Sequence, residues 1–241
     1  MVNICQLFTR IMPNKWSLFD QQCVLCCGLS ANSAICQPCM AELPRPLHPC
    51  NICGIEISDP HSIHCSQCQP GISIINRCYT GLTYQSPVDF LVQRLKFHAD
   101  FTVSNSLGAW FANELSNRIE TTPELVIPIP LHPGRHFQRG FNQAVELARP
   151  IAKKLGAELS TNAVHRIRPT ASQSGLNAQS RAANLQTAFA AKPDRIKNRH
   201  VAIVDDVMTT GATTQSLANT LIEAGAAQID LYILARTPRK N

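Results

Sequence analysis

Beyond about residue 80 the apolar positions fall into blocks whose period alternates between that of a strand and that of a helix. Tyr79–Tyr84 is an apolar run of strand length. Pro87–His98 carries Val88, Leu91, Val92 and Leu95 at helical spacing, and Leu107–Leu115 continues as helix. Leu125–Ile129 reads as a strand bounded by Pro128 and Pro130. Asn142–Leu155 repeats Ala144, Leu147, Ala148, Ile151 and Leu155 on one helical face, and Gly156 stops it. Pro150 inside that run predicts a kink or an early break. Ala183–Phe189 fits neither period. Val201–Val204 and Ile229–Leu234 are β-branched runs that predict buried strands, with a helix over about Gln215 to Ala224 between them. Strands alternating with helices predict an α/β fold, a parallel sheet with helices on both faces. In such sheets a ligand sits at the carboxyl ends of the strands.

The first 80 residues lack these blocks and are rich in proline and cysteine, which divides the chain into a domain over 1–80 and another over 81–241. Ten of the eleven cysteines precede residue 70, and eight form C-x-x-C pairs: Cys23/Cys26, Cys36/Cys39, Cys50/Cys53 and Cys65/Cys68. Each pair can present two thiolates to one tetrahedral zinc. The separations suit two successive four-cysteine zinc ribbons, the first two pairs on one ion and the last two on the other. Spacing alone also admits an interleaved pairing, with Cys27 as a competing ligand. Four thiolates leave no open coordination position, so the expected role is structural: a segment this poor in apolar residues needs metal to fold. Four pairs also exceed what redox chemistry needs. Cys5 and Cys78 read as apolar cysteines, and His48, His61 and His64 as surface residues.

Charge sharpens the division. Residues 1–80 hold four basic and four acidic side chains, so the net +6 belongs to the rest of the chain. Between Arg135 and Arg199 twelve basic residues face three acidic ones, a surplus that suits a polyanion such as a pyrophosphorylated sugar or nucleic acid. No apolar run approaches membrane-span length, and the amino terminus does not read as a secretory signal, so a cytoplasmic protein without a membrane span is expected.

The chemistry concentrates in Val201–Thr213, V-A-I-V-D-D-V-M-T-T-G-A-T. Two carboxylates, Asp205 and Asp206, follow the apolar run. Then comes the small loop Thr209-Thr210-Gly211-Ala212-Thr213 before a helix. Loop amides and a helix N-terminus favour a phosphate. Carboxylates repel phosphate, so they should face sugar hydroxyls or Mg2+. A second loop, V-I-P-I-P-L-H-P followed by Arg135, Arg139 and Gly140, offers Pro130, Leu131, His132, Arg135 and Arg139 for further phosphate oxygens, where an Arg fork fits well. A long polar and basic stretch runs from Arg166 to Phe189 with Arg168, Gln173 and Arg181.

Val201–Thr213 resembles the phosphoribosyl-pyrophosphate (PRPP) binding motif of type I phosphoribosyltransferases, which implies PRPP contacts from Val204, Asp205, Asp206 and Thr209–Thr213. The basic stretch from Arg166 to Phe189 resembles the mobile loop that closes over the ligand in phosphoribosyltransferases. The resemblance widens when the C-x-x-C cluster, Leu95-Lys96-Phe97, P-I-P-L-H-P…R-G-F-N-Q, R-x-R-x-T-x-x-Q-x-x-L-x-x-x-x-R-x-x-N and V-D-D-V-M-T-T-G-A-T are taken in order. Together they resemble the ComF family over nearly the whole chain. The three prolines of the second loop depart from the small flexible pyrophosphate loop usual in phosphoribosyltransferases. The resemblance implies a type I phosphoribosyltransferase domain behind a zinc finger, PRPP bound with Mg2+, and a part in natural competence through uptake or use of single-stranded DNA, with a competence-protein partner. Lys96 enters as a site residue on this ground. The residues alone leave three readings open: an enzyme displacing pyrophosphate at the anomeric carbon, a nucleic-acid-binding platform without turnover, and a PRPP-responsive regulator.

Overall fold

The computed structural model describes residues 21–31, 33–68, 73–97, 100–131, 140–167 and 188–239. Its centre is a five-stranded sheet in the order β3-β9-β8-β4-β5, every neighbouring pair parallel. The strands are β3 (Arg77–Thr83), β4 (Leu125–Pro128), β5 (Glu158–Leu159), β8 (His200–Met208) and β9 (Gln228–Arg236). The longer helices are α2 (Val88–Phe97), α3 (Phe101–Arg118), α4 (Gln143–Leu155) and α6 (Ala212–Glu223). Two small antiparallel pairs, β1 (Gln21–Gln22) with β2 (Leu29–Ser30) and β6 (Val164–Arg166) with β7 (Phe189–Ala191), and two short helices, α1 (Gln37–Ala41) and α5 (Pro193–Ile196), complete the elements among the described residues.

Alternation along β8 and β9 distributes their side chains between two cores. Ala202, Val204, Tyr232 and Leu234 pack with Leu91, Leu95, Leu107, Phe111, Leu147 and Ile151 of α2, α3 and α4. Val201, Ile203, Ile229, Leu231 and Ile233 pack with Leu217 and Leu221 of α6 on the other face. Helices therefore cover both faces, as the periods predict. Strand β8 runs four residues further than its apolar run, because β9 continues to pair with it through Asp205↔Ile233, Val207↔Ala235 and Met208↔Arg236. The two carboxylates thus lie within the strand and not in a loop after it. Helix α6 likewise begins at Ala212, three residues before the periodic segment.

Helix α4 passes through Pro150 to Leu155 without the early break that a proline predicts, and Gly156 at φ 68° ends it. Tertiary packing compensates for the proline: its ring lies against Gly108 of α3, where an added Cβ would stand 2.6 Å from Pro150 Cγ. Gly108→Ala is expected to force α3 and α4 apart and destabilise the fold by about 1–3 kcal/mol, despite alanine's better helix propensity. A thermal melt checks this; an unchanged or raised midpoint would refute the close packing.

The cysteine-rich segment shields the edge strand β3. The Cys78 amide donates to Asn51 O (2.6 Å) and the Thr83 amide to Pro44 O (2.8 Å). Ile35, Met40 and Leu43 of this segment are buried in the same core as α2 and α3. Among the described residues, no helix is long and apolar enough to cross a membrane.

Candidate functional site

The carboxyl ends of β4 and β8 meet at one edge of the sheet, with Pro128 opposite Val204. Val204 is fully buried and anchors the strand. From Met208 the chain turns through exposed Thr209 and Thr210 to Gly211, whose φ of 81° a residue with a Cβ adopts only with strain. Gly211 caps α6 and supplies no side chain to its first amides. The Ala212 amide meets Thr210 Oγ1 only at 3.4 Å, while Thr214 Oγ1 is turned inward to Gly211 O (2.7 Å). Ala212 and Thr213, half-buried in the first turn of α6, present their amides where the helix dipole favours an anion.

Asp205 and Asp206 reach opposite faces of the strand. Asp205 shares the α6 face with Val201 and Ile203; Asp206 shares the α2–α4 face with Ala202 and Val204. Lys96 Nζ, at the end of α2, lies 3.1 Å from Asp206 Oδ2. The same oxygen is buried and lacks a hydrogen bond of proper alignment, so the contact is an ion pair held by proximity of charge. Asp206 Oδ1 accepts from the Val207 amide at 2.8 Å, and Asp205 Oδ1 accepts from the Asp206 amide at 2.9 Å. Burial and the neighbouring Asp206 charge push the Asp205 carboxyl well above the usual carboxylate range, against the opposing pull of the Asp206 amide and Lys96. Ionisation of Asp205 is therefore disfavoured in the free protein.

Pro130 and Leu131 continue from β4, half-buried at the same edge. The Ile129 amide donates to Val204 O (2.9 Å), which keeps this stretch alongside the carboxylates. His132, Arg135 and Arg139 lie outside the described residues, as do Arg168, Gln173 and Arg181. Asn142 gains a role that the sequence reading did not assign. Its Oδ1 accepts from the Ala144 amide and caps α4, while its Nδ2 donates to Ile129 O, both at 3.0 Å. One side chain thus clamps the two ends of the loop between Ile129 and Asn142. Its sequence signals were a place in the R-G-F-N-Q motif and a position at the start of a helical run, and the latter suits a cap, not a clamp.

The cysteines form two groups, Cys23-Cys26-Cys36-Cys39 and Cys50-Cys53-Cys65-Cys68, each with all four sulfurs within 4.8 Å of one another. The pairing is therefore sequential, not interleaved, and neither group includes Cys27. Sulfurs 2.3 Å from one tetrahedral ion would stand about 3.8 Å apart. Cys26 and Cys36 Sγ are 3.7 Å apart, as are Cys53 and Cys65 Sγ. Amides of Cys36 and Cys65 point at Cys23 and Cys50 Sγ, both at 3.3 Å, which suits thiolates. Four thiols this close cannot all ionise without a cation. Although burial opposes it, amide hydrogen bonds from Cys36, Cys26 and Leu25 hold Cys23 down to about 6. Cys65 is held near 7 against its own burial by the Gln67 amide and neighbouring thiols. Burial, then the neighbouring sulfurs, pushes Cys39 and Cys68 far up. The donor sets fit two tetrahedral thiolate-bound ions.

Residues 142–241, from the clamp Asn142 through β8 and α6, match the phosphoribosyl transferase domain family. The chain is 32% identical over 207 residues to DNA utilization protein YhgH of Escherichia coli O157:H7, covering 84% of this chain and 90% of that protein. It is 30% identical over 228 residues to Competence protein F of Haemophilus influenzae, covering 91% and 99%. It is 25% identical over 219 residues to Competence protein ComFC of Bacillus subtilis, covering 87% of each. A phosphoribosyltransferase domain behind two four-cysteine clusters, with relatives of these names matched over most of their length, makes this chain a member of the ComF family.

Proposed function

We propose that the chain binds PRPP together with Mg2+ and acts in the uptake or use of single-stranded DNA, with two structural zinc ions holding its amino-terminal segment. The observation that carries the PRPP half is the pairing of two unlike features at one sheet edge: amides of the Thr209–Thr213 turn, which favour phosphate, beside Asp205 and Asp206, which do not. A sugar phosphate satisfies both. The 5-phosphate would sit on the turn and the start of α6. Asp205 would accept from ribose hydroxyls, and Asp206, already paired with Lys96, would steady the cationic character that develops on the ring as pyrophosphate departs. Mg2+ supplies charge neutralisation to the pyrophosphate. The DNA half is supported by the relatives' names and by the surplus of basic residues between Arg135 and Arg199.

Equilibrium dialysis with PRPP tests the first half. Retention of about one PRPP per chain with Mg2+, and much weaker retention when Mg2+ is chelated, is expected; no retention in either condition sinks the reading. Pyrophosphate release on screening amines and bases then separates turnover from binding alone. For the DNA half, affinity for single-stranded DNA should fall steeply as salt rises, because backbone contacts release counterions. A salt-independent affinity would contradict the basic-stretch account.

A further inference from the structure

Arg236 ends β9 and is almost wholly buried, at 8% exposure. Its guanidinium faces two places at once. Nε donates to the carbonyl of Cys53 at 2.9 Å. Nη1 donates to the carbonyls of Met208, at 2.9 Å, and Thr209, and to Thr237 Oγ1 at 3.0 Å. Cys53 is a member of the second four-cysteine group, whereas Met208 and Thr209 lead into the phosphate turn. We propose that Arg236 is a positioning residue that couples metal occupancy of the Cys50-Cys53-Cys65-Cys68 group to phosphate binding by the Thr209–Thr213 turn. This rests on the reading that the turn binds the phosphate of PRPP.

The coupling runs through rigidity. A guanidinium is a planar fork whose donors keep fixed angles to one another. The carbonyl that receives Nε belongs to a residue whose own sulfur a metal would fix. The carbonyls that receive Nη1 belong to the last strand residue and the first turn residue. Metal at the cysteine group holds the Cys53 carbonyl, the fork transfers that position, and the turn is held in the conformation that offers its amides. Charge runs the same way: four thiolates around one Zn2+ are formally doubly negative, and Arg236 is a cation hydrogen-bonded to the backbone of one of the four cysteines. The first cysteine group is tied elsewhere. The Ala34 amide donates to Ser106 Oγ of α3 at 2.9 Å, away from the turn. The coupling should therefore be confined to one of the two metal sites. Binding linkage is reciprocal, so phosphate ligand must tighten that metal by the factor by which the metal tightens the ligand.

The test is zinc affinity measured on the full chain by equilibrium competition with a chromogenic chelator, with and without saturating Mg2+–PRPP, and PRPP binding followed by calorimetry in parallel. In the wild type, PRPP should raise the affinity of one of the two zinc ions at least about fivefold more than that of the other. Arg236→Met should still bind two zinc ions, bind PRPP more weakly, and lose this difference between the two zinc ions. If Arg236→Met fails to fold, Arg236→Lys, which keeps the cation but not the fork, should show the same loss of coupling. Equal tightening of both zinc ions would indicate general stabilisation of the fold and overturn the proposal. So would a difference between the two zinc ions that survives in Arg236→Met or Arg236→Lys. PRPP binding with no change at either zinc overturns the coupling alone; no PRPP binding in the wild type overturns the functional reading and the coupling with it.

Discussion

Replacing Asp205 by asparagine raises the thermal midpoint of the ligand-free protein and lowers its affinity for PRPP on the order of 100-fold, about 3 kcal/mol. The opposite signs follow from one cause. Burial, reinforced by the charge of Asp206, raises the Asp205 carboxyl well above its ordinary range. In the unfolded chain that carboxyl loses its proton near about pH 4, while the folded protein retains it. Across the window from there up to the raised value, the folded state binds the extra proton, so this group's contribution to stability falls as pH rises. Asparagine has no proton to lose and removes that penalty, but it cannot accept as a carboxylate from ribose hydroxyls. Wild-type affinity for PRPP should accordingly increase with pH through the raised value, and the Asp205→Asn variant should lose that dependence. Differential scanning calorimetry and PRPP titration across pH check both signs. A variant less stable than the wild type, or one that binds PRPP as tightly, contradicts the assignment.

Removal of zinc should have the larger effect on the fold. A structural tetrathiolate zinc contributes about 10–16 kcal/mol at neutral pH, comparable to the whole stability of a domain. Here the metal sites are not appendages. Ile35, Met40 and Leu43 sit in the core formed by α2 and α3, and the Pro44 and Asn51 carbonyls receive amides of β3. Stripping both ions with a chelator should therefore abolish a single cooperative melt of the whole chain and expose apolar surface, and added Zn2+ should restore it. Loss should be easier in acid, because all four thiols of each group must be deprotonated to bind. Near-ultraviolet circular dichroism with zinc titration checks this. A metal-free chain with an unchanged melt would refute structural zinc.

Much of this architecture was readable before any coordinates, and the pattern of success has physical reasons. The four C-x-x-C pairs are local in sequence, and their spacing already favoured sequential groups. Helix α4 carried its apolar face and its Gly156 stop within one stretch. The parallel sheet and its helix-covered faces followed from buried β-branched runs alternating with helical ones. What escaped depends on distant partners. The length of β8 is set by pairing to β9, and its last four residues, Asp205 to Met208, lie beyond the continuous apolar run. Strands β5, β6 and β7 span two or three residues and leave no periodic trace. Pro150 was a local breaker that packing against Gly108 accommodates. The separation of Asp205 from Asp206 onto two faces follows only once both are known to lie in a strand. Arg236 had no signal at all, since its partners Cys53 and Met208 lie 183 and 28 positions away in the chain.

Calorimetric titration of Mg2+–PRPP into the zinc-loaded protein, and into the Asp205→Ala/Asp206→Ala double variant, tests the central claim most directly. The account predicts saturable heat with about one site per chain for the wild type and none for the folded, zinc-loaded double variant. Absence of heat with the wild type, or equal heat with both proteins, would contradict it.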